Sequence, residues 1–132
     1  MDTRSHPSRF RAFGRLPNRE LTELERHQRV MTFAEGEAVV REGDVADDLY
    51  VILDGCASVS VDGRLRRALE PGDPFGELAL ATGAPRSATV IAATDLRCAV
   101  WSADFLRPFL VKHPRVALAV AARVADYFTP GP

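Results

Sequence analysis

The sequence predicts a mainly β domain, an antiparallel β-roll with one helix before it and two after. Three observations predict it. Short apolar or alternating runs recur between residues 30 and 101, most of them closed by a glycine-bearing turn. An amphipathic run with Leu21 and Leu24 precedes them, and two helical runs follow, from Ser102 and from Pro114. The chain has 132 residues, 46% of them hydrophobic, which suits one domain with one core and leaves little room for a second.

Each element has its own signal. Asn18 is expected to cap the first helix, which runs to about His27. Val30–Phe33 ends at Glu35-Gly36-Glu37 and Ala38–Arg41 ends at Glu42-Gly43-Asp44, so both read as short strands. Leu49–Leu53 is a continuous apolar strand closed by Asp54-Gly55. Ala57, Val59 and Val61 alternate with Ser58, Ser60 and Asp62, the pattern of a half-buried strand. Asp62-Gly63 signals a two-residue hairpin, since both central positions of a type I′ turn need φ > 0. Arg64–Leu69 returns, and Glu70-Pro71-Gly72-Asp73 turns again. Ala88–Ala93 and Leu96–Trp101 read as a further hairpin around Thr94-Asp95, with Leu96, Cys98 and Val100 on one face. Ser102 caps a helix carrying Phe105, Leu106, Phe109 and Leu110, which Pro108 is expected to kink or end. Proline suits a first helical turn, so His113-Pro114 opens the last helix. Val116, Val120 and Val124 form its apolar stripe, and Thr129–Pro132 stops it.

Bulk properties narrow the function. The net charge of −1 gives no global attraction to nucleic acid or an anionic membrane. Cys56 and Cys98, each in an apolar run, read as buried free thiols in a reducing compartment. No apolar stretch reaches the roughly 18 residues of a membrane span, and no signal-peptide core is present, so a cytoplasmic location is expected. His6, His27 and His113 are scattered and make no metal pattern, and no nucleophile stands beside a base. No catalysis, metal or cofactor is therefore expected. Residues 1–17 hold Arg4, Arg9, Arg11 and Arg15 against Asp2 and read as a basic, flexible lead-in. Lys112 is the sole lysine among 17 basic residues, a bias that suggests a GC-rich bacterial genome.

The most informative stretch is Phe75-Gly76-Glu77-Leu78-Ala79-Leu80, followed after four residues by Pro85-Arg86-Ser87-Ala88-Thr89-Val90. Arg86 supplies a cation whose fork matches phosphate oxygens bidentately. Gly76 lets the backbone come close, and residues 77–80 can open a short helix whose first amides face an anion. Glu77 can accept a ribose 2′-OH. A carboxylate buried there without its hydroxyl partner would be costly, which discriminates against 2′-deoxy ligands.

This pair of motifs resembles the phosphate-binding cassette of the cyclic nucleotide-binding domain, the sensor module of bacterial catabolite activators and of cyclic-nucleotide-dependent kinases and channels. The resemblance covers roughly residues 18–128, which sets the domain boundaries, with 129–132 as a tail. It implies an eight-stranded antiparallel β-roll, jelly-roll-like (a double-stranded β-helix), with an N-terminal helix and C-terminal hinge and lid helices. It implies that the amides near Leu78 and Ala79 and that of Ala88 contact the phosphate, and that Ser87 donates its hydroxyl there. Phe75, Gly76 and Pro85 complete the motif. The lid would bring Tyr127 over the base, with Phe128 and Arg123 as further candidates. Serine at position 87, where cGMP-preferring members often carry threonine, favours cAMP over cGMP. Transcription factors of the family continue into a DNA reader; none is recognised in this sequence, so no nucleic-acid binding by the chain itself is expected. A homodimer or a downstream effector protein is the expected macromolecular partner. The alternative is a ligand-free interaction or scaffold domain of the same fold.

Overall fold

The computed structural model describes residue 13 and residues 16–45, 47–76 and 85–128, the last six by backbone alone. Helix α1 spans Asn18–His27, and eight strands follow: β1 Arg29–Phe33, β2 Ala38–Val40, β3 Asp48–Asp54, β4 Ala57–Val61, β5 Arg64–Leu69, β6 Pro74–Phe75, β7 Thr89–Ala92 and β8 Leu96–Ser102. Helices α2, Ala103–Lys112, and α3, Pro114–Phe128, close the chain. Every strand pair is antiparallel. The strands form two four-stranded sheets, ordered β1-β8-β3-β6 and β2-β7-β4-β5. That order, alternating between sheets along the chain except at the β4–β5 hairpin, is the jelly roll expected from the sequence. The two sheets stay separate and do not close into a barrel.

Two apolar layers hold the molecule together. Between the sheets, Phe33, Tyr50, Ile52, Phe75, Cys98 and Val100 from the first meet Val40, Ala57, Leu69, Val90 and Ala92 from the second. Outside the first sheet, Leu49, Val51, Ala99 and Trp101 pack against Leu24 of α1, Leu106 and Phe109 of α2, and Val116 and Val120 of α3. Strands β3 and β8 thus bury both faces, which is why Leu49–Leu53 reads as apolar without alternation. The indole Nε1 of Trp101 donates to Leu24 O at 2.8 Å and ties the helical layer to the sheet. The His27 ring stacks on Phe105 at 4.2 Å, and His113 Nδ1 lies 3.6 Å from Glu20 Oε1, so α1 also grips the joint between α2 and α3. Among the described residues no helix is long and apolar enough to cross a membrane.

The β4–β5 hairpin closes as expected, with Val61 opposite Arg64 and positive φ at Asp62 (53°) and Gly63 (77°). The second expected hairpin does not form. β7 pairs with β2 and β4, whereas β8 pairs with β1 and β3, so Thr94-Asp95 is a crossover between sheets. Its groups are spent on neighbouring turns. Cys56 N donates to Thr94 Oγ1 at 3.0 Å, Ala93 N donates to Cys56 O at 2.9 Å, and Glu35 N donates to Asp95 Oδ1 at 3.0 Å. Gly55, at φ 88°, permits this approach, because a Cβ there would strike Asp95 O.

Other expectations shift by a residue or a role. Pro17, not Asn18, is the N-cap of α1; its extended backbone (ψ 158°) sets the helix entry, and no side chain caps it. Ser102 does cap α2, its Oγ accepting from Phe105 N at 3.4 Å. Pro108 does not end α2; the carbonyl it leaves without a donor is that of Asp104, on an exposed residue that water can serve. Cys56 sits half-buried in the β3–β4 turn, while Cys98 is fully buried. The stretch read as a lead-in contributes to the core: Phe13, 1% exposed, meets Trp101 edge-on at 5.1 Å.

Burial pushes the Cys98 thiol from its ordinary 9.0 up to about 12. The unfolded chain therefore loses this proton first, and the stability it carries falls as pH rises from about 9 to about 12. Alkaline denaturation should show that fall in the wild type and less of it in Cys98→Val. Alkylation of the native protein at about pH 8 should modify Cys56 and spare Cys98; equal labelling would contradict the packing.

Candidate functional site

The site grows from the end of β6. Tyr50 of β3 stands opposite Phe75, and their rings stack in parallel, 4.8 Å apart and 4° from coplanar. Gly76 follows at φ 93°, a conformation that favours glycine, and the chain turns out of the sheet. A Cβ at Gly76 would collide with Arg86 Nη1 and stand 3.0 Å from Asp48 O, so glycine is needed for space as well.

Arg86 is the one charged residue buried among those described, at 7% exposure. An isolated buried guanidinium is costly unless its donors are satisfied. Nη1 donates to Gly76 O and Nη2 to Asp48 O, both at 2.8 Å, and the Tyr50 ring lies 5.8 Å from Cζ. The backbone of Arg86 is pinned too: its N donates to Asp44 O and its O accepts from Gly43 N, both at 2.9 Å. Among the described residues these acceptors are dipoles, and no carboxylate pairs with the guanidinium. Two of its five N–H donors are engaged by them. Among the described residues the arrangement is a buried positive charge held by backbone carbonyls.

The supporting strand is itself braced. Asp48 Oδ1 accepts from Arg29 Nη2 at 3.2 Å, while its carbonyl serves Arg86. Burial first, then the Asp48 carboxylate, pushes the Tyr50 phenol above its ordinary 10.0, so it stays neutral. Asp47 O accepts from Ala103 N at 2.7 Å, which ties the loop that pins Arg86 to the first residue of α2. Among the described residues no three His, Cys, Asp or Glu side chains gather as a metal site would need.

Of the residues expected from the sequence, Phe75, Gly76 and Arg86 come together. Pro85 and Ser87 flank Arg86 and are exposed, and Ala88 is half-buried beside them. Glu77, Leu78 and Ala79 lie outside the described residues. Arg123, Tyr127 and Phe128 lie on α3, which runs as far as the expected lid; their side chains lie outside the description. Two contributors were missed. Asp48 acts through its carbonyl, which leaves no side-chain signature. Tyr50 could have been found by splitting β3 into its two faces. Arg67 stands opposite Val59, on the face of β5 turned between the sheets, and is half-buried there.

A profile of the cyclic nucleotide-binding domain matches residues 30–113. A cGMP-dependent protein kinase of Plasmodium berghei is 44% identical over 70 residues, 53% of this chain and 8% of the kinase. A cAMP-dependent protein kinase regulatory subunit of Eremothecium gossypii is 38% identical over 73 residues, 55% of this chain and 16% of the subunit. The match thus spans only a small part of these relatives. Among solved structures, the N-terminal domain of a transcriptional regulator from Streptomyces coelicolor A3(2) superposes with a TM-score of 0.69 at 32% identity, over 96% of this chain and 90% of that one.

The close approach at Gly76 can be separated from its backbone conformation. Gly63 also has positive φ but nothing within 4 Å of a built Cβ. Gly76→Ala should cost more stability in urea unfolding than Gly63→Ala, by about 1–3 kcal/mol. Equal losses would remove the steric constraint.

Proposed function

The chain belongs to the cyclic nucleotide-binding domain family, and from that we propose that it is a regulatory sensor module whose ligand is cAMP. The observation that carries the reading is the buried Arg86 guanidinium, oriented by Gly76 O and Asp48 O, which among the described residues engage two of its five donors. A cyclic phosphate is a monoanion with two free oxygens, which suits the open edge of that fork. Ser87, exposed beside Arg86, is the hydroxyl donor, and the amides of Leu78, Ala79 and Ala88 complete the phosphate seat. Glu77, next after Gly76, takes the ribose 2′-OH. Helix α3 closes over the base with Tyr127, Phe128 or Arg123. Ligand then shifts a population between open and closed positions of that helix, and a partner protein in the cytoplasm reads the change.

One observation favours a second reading, cGMP. Guanine presents N7 and O6 as adjacent acceptors that an arginine can meet bidentately, whereas adenine puts an amino donor beside N7. Arg67, half-buried on the inward face of β5, would offer such a fork to a base seated between the sheets. The relatives point both ways, one a cGMP-dependent kinase and one a cAMP-dependent regulatory subunit.

Calorimetric titration with cAMP and cGMP in parallel tests the proposal. Saturable binding is expected, with Arg86→Ala weakening it at least about 30-fold, the equivalent of ~2 kcal/mol. Arg67→Ala should leave the ratio of the two affinities unchanged if cAMP is the ligand, and lower the preference for cGMP if that is. A folded protein that binds neither nucleotide is the ligand-free interaction domain instead.

A further inference from the structure

We propose that Tyr50 is a positioning residue for the phosphate seat: its ring fixes the plane of the Arg86 guanidinium. This rests on the reading of Arg86 as the phosphate ligand. The two carbonyls that accept from Nη1 and Nη2 define a line, and the guanidinium can tilt about it as far as its side-chain stem flexes. A further contact, out of that line, narrows the tilt. The Tyr50 ring supplies it, with Arg86 Cζ 5.8 Å from the ring centroid. Its electron-rich face also gives the buried cation a partner.

Tyr50 is suited to this because it cannot move. It lies on β3 between neighbours on both sides, opposite Val100 of β8 and Phe75 of β6. It is 7% exposed, and Phe75 stacks in parallel with it at 4.8 Å. Phe75 is followed by Gly76, whose carbonyl holds Nη1. Tyr50 and Gly76, linked through Phe75, therefore hold Arg86 from two sides. The orientation is set before ligand arrives, so less ordering is left for the binding step.

Affinity for the tighter of cAMP and cGMP tests this, with each variant first shown to be folded by its cooperative melting. Tyr50→Phe keeps the ring and should bind within about twofold of wild type. Tyr50→Leu removes it and should weaken binding about five- to thirtyfold, the span of a buried cation–π contact. In an Arg86→Lys background, where no planar fork exists, Tyr50→Leu should change affinity less than about twofold. Should Tyr50→Leu fail to fold, Tyr50→pentafluorophenylalanine keeps the shape and reverses the charge of the ring face; it should bind at least about fivefold more weakly than Tyr50→Phe. The proposal is overturned if the folded leucine or fluorinated variant binds like wild type. It is also overturned if Tyr50→Phe loses as much as Tyr50→Leu, or if the leucine loss is undiminished beside Lys at 86. Absence of binding by the wild type would instead overturn the nucleotide reading itself.

Discussion

The hydrogen bonds from Arg86 to the carbonyls of Gly76 and Asp48 join parts of the chain that the fold would otherwise leave separate. Gly76 leaves the edge of the first sheet, Asp48 starts its buried strand β3, and Arg86 leads into β7 of the second sheet. A guanidinium at 7% exposure demands such partners, since an unsatisfied buried charge costs several kcal/mol, on the order of a domain's whole stability margin. The carbonyls satisfy donors without neutralising charge. The site is therefore stable enough to fold and still attractive to an anion. The same constraint makes glycine mandatory at 76, where a Cβ would occupy the space of Nη1.

From this centre the helices are reached in a few bonds. The loop that pins the Arg86 backbone through Gly43 and Asp44 also offers Asp47 O to Ala103 N, at the start of α2. Helices α2 and α3 share the outer apolar layer with Trp101, Leu24 and Phe13. Val116 and Val120 are within that layer, so the first turns of α3 belong to the core. The hydrogen-bonded loop and the shared layer thus connect Arg86 to helices α2 and α3.

Much of this was legible in the sequence because it is written in side-chain type and spacing. Phe75, Gly76 and Arg86 announce a cassette, and Asp62-Gly63 announces a hairpin whose geometry needs those residues. The parts that were not legible depend on partners. Thr94-Asp95 reads as a turn, but a turn does not say which strands flank it in the sheet; the two-sided burial of β8 places it between β1 and β3, away from β7. Asp48 contributes a carbonyl, which every residue has. Arg67 reads as one arginine among several on an exposed strand until its register with Val59 turns it inward. Phe13 lies in a basic, proline-bearing stretch whose composition masks a single anchoring ring.

A crystal structure of the protein with its cyclic nucleotide tests the central claim most directly. The account predicts phosphate oxygens within hydrogen-bonding distance of the Arg86 fork, with the bonds to Gly76 O and Asp48 O retained and the guanidinium plane unchanged. A nucleotide bound with its phosphate away from Arg86, or a guanidinium that abandons both carbonyls to reach it, would contradict the claim that this seat is built before the ligand arrives.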